Sequence, residues 1–264
     1  MKTFCISRKI YYEEIESTSP YYNKFYLIEN PYREKIVAIP DGCVDLQFVW
    51  QGDEIEMHIC GSFLKGGITQ TSNYDRCFGI KLNNGVIPRI RDDRISELEN
   101  KKINIKELNM KEIVGKRYKV EAEILSNELM QKIERQHRLR KYSQIFRKNS
   151  SMLEYEVEHG ITNYALEEIK NSFGNISMIS LIRRLGYSQC YIERLFKSTM
   201  GISLKKYANI IRFQYAIEAL EKNKDHVDYE TLGYYDQAHF IKEFKNFTLW
   251  TPYSYMEQRE QMIV

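Results

Sequence analysis

The chain has 264 residues, 43% hydrophobic and 28% charged, with a formal net charge of +3. That length supports two modest buried cores. No run of about 18 apolar residues occurs, which excludes a hydropathy-defined membrane helix, and the opening MKTFCISRKIYYEE lacks the apolar core of a signal peptide, so the default expectation is a cytoplasmic protein.

The cysteines, Cys5, Cys43, Cys60, Cys77 and Cys190, are odd in number and none lies in a C-x-x-C pair. In a reducing compartment they read as free thiols, with Cys43, Cys60 and Cys77 as small buried residues rather than a zinc or redox centre. No metal or other cofactor is expected. There is no Gly-rich phosphate loop, H-E-x-x-H or nucleophile elbow, so the chain does not read as an enzyme.

Residues 1 to 95 read as β-rich. Tyr11, Tyr12 and Ile15 lie in a first apolar stretch, and Tyr21 to Ile28 is aromatic-rich before Asn30-Pro31 interrupts it. Ile36 to Ile39 is a short strand that Pro40-Asp41-Gly42 ends. Val44, Leu46, Phe48 and Trp50 alternate with polar residues, Gln51-Gly52-Asp53 supplies a hairpin turn, and Ile55 to Ile59 returns. Short strands punctuated this way predict a small sandwich or barrel. Trp50, Phe48 and His58 are candidate pocket residues, though aromatic residues in such a domain are usually core.

Residues 96 to 160 shift towards a helical period. Val120, Ile124, Leu129, Ile133 and Leu139 sit among charged residues between Tyr118 and Tyr142. The basic run QHRLRK at 136–141 is either a solvated face or a phosphate or partner contact. This segment is expected to link or dimerise, and to dock the two halves through helices, since no Pro/Gly/Ser-rich tether separates them.

Residues 161 to 264 read as all-helical. Ser177 to Leu185, Ser188 to Thr199, and a long helix from the cap Ser203 to about Leu220 are expected, with Tyr207, Ile211, Ala216 and Leu220 inward. LGYSQCYIERLFKSTMGIS at 185–203 recurs about 48 residues later as LGYYDQAHFIKEFKNFTLWTP at 232–252. Ser188 and Asp236 stand as N-caps. Ile192 and Phe196, and Phe240, Phe244 and Phe247, recur at helical spacing and face inward. Two such copies are what two helix-turn-helix units would produce. The outward rows are Gln189, Cys190, Tyr191, Glu193, Arg194 and Lys197 in the first copy. In the second they are Gln237, Ala238, His239, Ile241, Lys242 and Lys245.

Those side chains suit a major groove. Arg194 and Lys242 can donate to guanine, Gln237 can pair with adenine, Glu193 can accept from cytosine, and Ala238 and Ile241 can touch a thymine methyl. The competing reading of Arg194 and Lys242 is phosphate contact or an intrahelical ion pair. Lys197, Lys245 and His239 suit phosphate. Bulk charge does not announce this, since 172–264 holds 12 Lys and Arg against 10 Asp and Glu; helix N-termini can grip phosphate without net charge.

The pattern from Gly233 to Lys245, with Thr251-Pro252 and the first copy, resembles the DNA-binding domain of the AraC/XylS transcription regulators. Pro40-Asp41-Gly42-Cys43-Val44-Asp45-Leu46, with Ile59-Cys60-Gly61 and Phe78-Gly79-Ile80-Lys81, is similar more loosely to an amino-terminal domain found in some of them. The resemblance implies an α+β chain: a cupin-like or related barrel sensing a small molecule or dimerising, then an all-α domain with two helix-turn-helix units on promoter DNA. It also implies RNA polymerase as a possible partner, activation as one mode, and no membrane partner. The chain departs from the pattern at Ile182 and Tyr229, where small residues are usual, and at Leu249, which stands where the first copy has Gly201. Those departures leave a second reading open, a regulator that has lost DNA binding and works through protein partners.

Overall fold

The computed structural model describes residues 4–7, 9–90, 117–120, 129, 134–149, 153–157, 160–222, 228–259 and 262–263. The first half supplies β1 (Phe4–Ser7), β2 (Tyr11–Glu16), β3 (Tyr22–Glu29), β4 (Val37–Ala38), β5 (Asp45–Gln51), β6 (Glu54–Cys60), β7 (Gly67–Ile68), β8 (Arg76–Leu82) and β9 (Val86–Ile90). The middle adds β10 (Arg117–Val120), helix α1 (Arg135–Asn149) and β11 (Leu153–Val157). Then follow α2 (Ile161–Asn171), α3 (Met178–Leu185), α4 (Gln189–Met200), α5 (Leu204–Lys222), α6 (Gln237–Thr248), α7 (Pro252–Arg259) and β12 (Met262–Ile263).

A six-stranded antiparallel sheet runs β10-β6-β5-β8-β3-β2, and a four-stranded one runs β12-β1-β4-β7. Among the described residues neither closes into a barrel. Alternation sorts the large sheet's two faces. Phe25, Leu27, Leu46, Phe48, Trp50, Phe78 and Ile80 pack with Leu139, Tyr142, Ile145 and Phe146 of α1. Tyr26, Ile28, Val49 and Cys77 point the other way, towards Phe4, Ile36 and Ala38. The aromatic residues are core: Trp50 stacks on Tyr142 at 5.4 Å, and Phe48 and His58 are buried. Cys43, Cys60 and Cys77 are buried, and the Cys60 thiol donates to Gln47 Oε1 at 3.4 Å.

The middle segment departs from a purely helical reading. β10 pairs with β6 (Tyr118↔Ile59, Val120↔Met57), and β11 pairs with β9. Tyr118 and Val120 alternate with Arg117 and Lys119, a two-residue period that a helical count over a long window averages away. Ile124, Ile133 and residues 96–116 lie outside the described residues.

α1 is clamped to the sheet by charge. Glu29, buried at the end of β3, meets Arg135, Arg138 and, at 3.3 Å, Arg76. Thus Arg138 of the basic run has a structural partner, while Gln136, His137, Arg140 and Lys141 are exposed. Burial pushes the Glu29 carboxyl up, but hydrogen bonds from Arg135 and Arg138 and the charges of Arg138 and Arg76 outweigh it and hold its pKa below the usual value. A depressed carboxyl contributes stability that is complete above its unfolded pKa, about 4.3, and is lost as pH falls through the folded value. Glu29→Gln should lower stability by about 1–3 kcal/mol at pH 7, and the deficit should shrink at pH 3. Urea unfolding at the two pH values checks this; an equal deficit at both would mean the carboxylate charge is idle.

The two halves are joined by packing. β4 alternates between two cores: Ile36 and Ala38 face the sheets, whereas Val37 and Ile39 belong to the core of the helical half. Gln214 Nε2 of α5 donates to the Pro40 carbonyl at 2.8 Å, and Tyr207 of the same helix is buried. Among the described residues the docking joins β4 and its following turn to helix α5; the strand's share was not readable from sequence, because a two-residue strand that is apolar on both faces gives no periodicity.

Candidate nucleic-acid interface

α3 and α4 form a helix-turn-helix. The Ser177 hydroxyl caps α3, accepting from Ser180 N–H, and the Ser188 hydroxyl caps α4, accepting from Tyr191 N–H at 3.3 Å. Gly186, with φ 74°, turns the chain between them. Ile192 and Phe196 anchor α4 in the core. Arg184 holds Glu168 at 2.6 Å and so ties α3 to α2.

α6 repeats the arrangement. The Asp236 carboxylate accepts from His239 N–H at 2.7 Å, and Phe240, Phe244 and Phe247 are buried. Arg212 of α5 pairs with Glu243 at 3.1 Å and donates to the Gly233 carbonyl at 3.2 Å, fixing α6 and its entry turn to the long helix. Where a second helix-turn-helix unit calls for a helix before Gly233, the described residues hold one turn at 228–233. Asp228 Oδ1 accepts there from the amides of Glu230 and Thr231; residues 223–227 lie outside the described residues. The ring of Tyr229, where a small residue was expected, packs on Phe240 at 5.0 Å.

The outward rows face solvent. Gln189, Cys190, Tyr191, Arg194 and Lys197 on α4 are exposed, and Glu193 is partly so. On α6, Gln237, Ala238, His239, Ile241, Lys242 and Lys245 are exposed, as are both caps. Arg194 lies over the Tyr191 ring at 5.9 Å, and Tyr191 sits 5.3 Å from Tyr187. Gln237 Nε2 donates to the Tyr229 hydroxyl at 3.4 Å. Among the described residues neither Arg194 nor Lys242 makes an ion pair. Sequence reasoning passed over two tyrosines. Tyr187 and Tyr235, 53% and 88% exposed, each stand immediately before a cap, and that position was the available signal.

Both outward helices end alike. Gly201 follows α4 with φ 72° and Leu249 follows α6 with φ 73°. Leu249 therefore does not displace the second unit, but holds the glycine geometry at a cost of roughly 1–2 kcal/mol. Leu249→Gly should raise stability by about 0.5–1 kcal/mol, glycine's extra unfolded freedom cancelling the rest. A thermal midpoint that falls instead would show that the half-exposed Leu249 side chain packs better than its backbone is strained.

Two capped, outward-facing helices on one connecting helix make a helix-turn-helix unit and a second outward helix preceded, among the described residues, by a single turn. Residues 181–258 match the family model described as "Helix-turn-helix domain". The transcriptional regulatory protein HptR of Staphylococcus aureus is 25% identical over 109 residues, covering 40% of this chain and 43% of HptR. The chain therefore spans less than half the length of these curated relatives. The C-terminal domain of AraT, a response regulator from Geobacillus stearothermophilus, is 27% identical over 40% of this chain and 89% of that one, with a TM-score of 0.35. ToxT from Vibrio cholerae aligns over 97% of this chain and 98% of its own, at 9% identity and a TM-score of 0.36. The C-terminal region of this chain carries a helix-turn-helix domain.

Proposed function

We propose that the chain is a cytoplasmic, sequence-specific transcription regulator that binds promoter DNA through α4 and α6. The observation that carries this is the pair of capped helices whose buried faces, Ile192 and Phe196 on α4 and Phe240, Phe244 and Phe247 on α6, leave amide, small and basic side chains outward. Gln189, Cys190, Glu193 and Arg194 read the first groove segment; Gln237, Ala238, Ile241 and Lys242 read the second. Tyr191, His239, Lys197 and Lys245, with the capped amides after Ser188 and Asp236, meet backbone phosphate. α5 sets the separation, about 34 Å for successive major-groove segments on one DNA face. The sheet domain couples a small effector or a second copy of the chain to this interface, and RNA polymerase is the further partner such a regulator needs for activation. Residues 1–95, 96–160 and 161–264 serve as sensor, linking or dimerising segment, and reader, with β4 shared between sensor and reader.

Selection of genomic fragments by the purified protein at about 0.15 M salt tests the reading. Enrichment of two sequence blocks about one helical turn apart is expected. No enrichment, with cell extract small molecules present or absent, would overturn it in favour of a regulator acting through protein partners. On an enriched site, Arg194→Ala should weaken specific binding by about 1–3 kcal/mol and non-specific binding much less. Equal loss on specific and random duplexes would assign Arg194 to phosphate alone.

A further inference from the structure

A cavity of about 520 Å³ opens where the loop after β6 meets the ends of α4 and α6 and the start of α5. Three lysines from three elements line it: Lys65 of the loop, Lys197 in the last turn of α4, and Lys206 in the first turn of α5. Among the described residues none of the three is ion-paired. Lys206 is partly buried, and that burial pulls its pKa down against the opposing charge of Glu243. Ser203 and Asn246 add polar groups, and Leu64 adds an apolar wall. α5 begins here, with the Ser203 hydroxyl accepting from Lys206 N–H at 3.2 Å, so the positive end of a 19-residue helix faces the same space.

Three lysines from three elements bring positive charge to one concavity, and an anion held there gains from all of them. A phosphate monoester carries about −1.5 to −2 charge and three acceptor oxygens, which suits three ammoniums better than a single carboxylate does. The volume lies in the range of small-molecule sites, leaving room for the body of a ligand beyond the phosphate.

We propose that this cavity binds the phosphate group of a small phosphorylated effector, held by Lys65 and Lys206 and, when DNA is not bound, by Lys197. The site is assembled from the sheet domain, both outward-facing helices and the helix that joins them. At its rim, Gly66 N–H donates to the Asn246 carbonyl at 2.9 Å. Occupancy therefore favours the arrangement in which loop 64–66 touches the ends of α4 and α6 together, and any coupling to DNA follows from that differential binding. The regulatory part of this inference rests on the DNA-binding reading; the site itself does not.

The test uses the full chain without DNA. Inorganic phosphate and phenyl phosphate are titrated by calorimetry and thermal unfolding, with ionic strength held constant by chloride. Saturable binding of both is expected, tighter for phenyl phosphate, and weakened about tenfold or more by Lys65→Met and by Lys206→Met. Lys65 is on an exposed loop, so its variant keeps the test sound even if Lys206→Met perturbs folding. No binding beyond that of chloride, or binding that both variants leave intact, overturns the site. The other source of phosphate is the DNA backbone. If free phosphates fail to bind while Lys65→Met lowers the salt slope of duplex binding by about one, the lysines grip DNA and the effector site is overturned, with the DNA-binding reading intact.

Discussion

Replacing Lys81 by Met should destabilise the protein by about 3–5 kcal/mol at pH 7. Lys81 is 3% exposed in the middle of the large sheet, between the carboxylates of Asp41 and, at 3.0 Å, Asp45. Register puts it there, since Lys81 lies opposite Asp45 on the neighbouring strand β5. Burial alone would strip its proton, but the two carboxylates outweigh burial and hold its pKa well above the usual lysine value. The network extends outward: the Tyr26 hydroxyl donates to Asp45 Oδ2 at 2.8 Å, and Gln47 Nε2 donates to the Tyr26 hydroxyl at 2.7 Å. Methionine keeps most of the volume and removes the charge, leaving two buried carboxylates facing each other. Burial already raises the Asp45 carboxyl above its usual value against the opposing charge of Lys81; with that charge gone the rise is larger, so the variant should regain stability as pH falls from 7 towards 4. Adding Asp45→Asn should restore part of the loss at pH 7. A deficit under about 1 kcal/mol with no pH dependence would sink the argument.

Gly174→Ala should cost about 3–5 kcal/mol, in the far tail of single-substitution effects. Gly174 ends α2 with φ 74°, and a Cβ there would stand 2.3 Å from the Ala208 carbonyl oxygen and 2.4 Å from the Arg212 nitrogen. Both are backbone atoms of α5, so no rotamer change can make room. The two helices must separate, and the packing of Ala165, Ile169, Ala208 and Ile211 with them. Gly186 is the control. Its φ of 74° and ψ of 11° are left-handed, but a Cβ there meets nothing within 4 Å, so Gly186→Ala should show only the left-handed strain of about 1–2 kcal/mol. Equal urea midpoints for the two variants would remove the close approach as a cause.

The helical half was legible because its signals are local. A hydroxyl or carboxylate at each helix start, a glycine at each turn and phenylalanines one turn apart are all read within a dozen residues, and α3, α4, α5 and α6 begin where Ser177, Ser188, Ser203 and Asp236 indicate. The strand at 45–51 was equally plain, because one face carries Leu46, Phe48 and Trp50. What stayed hidden depends on pairing over long separations. Asp45 and Lys81 look like solvent-facing charges in a half-buried sheet, and only a second layer above that face makes them a buried pair. The outward residues of α4 and α6 were readable as a row, but not the Tyr187–Tyr191–Arg194 contact that orients one of them, since ring orientation is set by rotamers that sequence does not report.

β4 carries a consequence for how the chain is made. Val37 and Ile39 leave the ribosome long before Ala165, Leu166 or Phe213, the residues of the core they complete. Until α5 has been synthesised, the strand can bury only one of its faces, and the other is an exposed apolar surface for the duration of more than half the chain. β12 delays closure further, because the edge of β1 is paired only when Met262 and Ile263 arrive. High separation of this kind slows folding, since loop closure must precede the contacts that reward it. β1 thus receives an edge partner from beyond the whole helical half, and a helical fragment cut from the rest would begin life with a gap where β4 belongs.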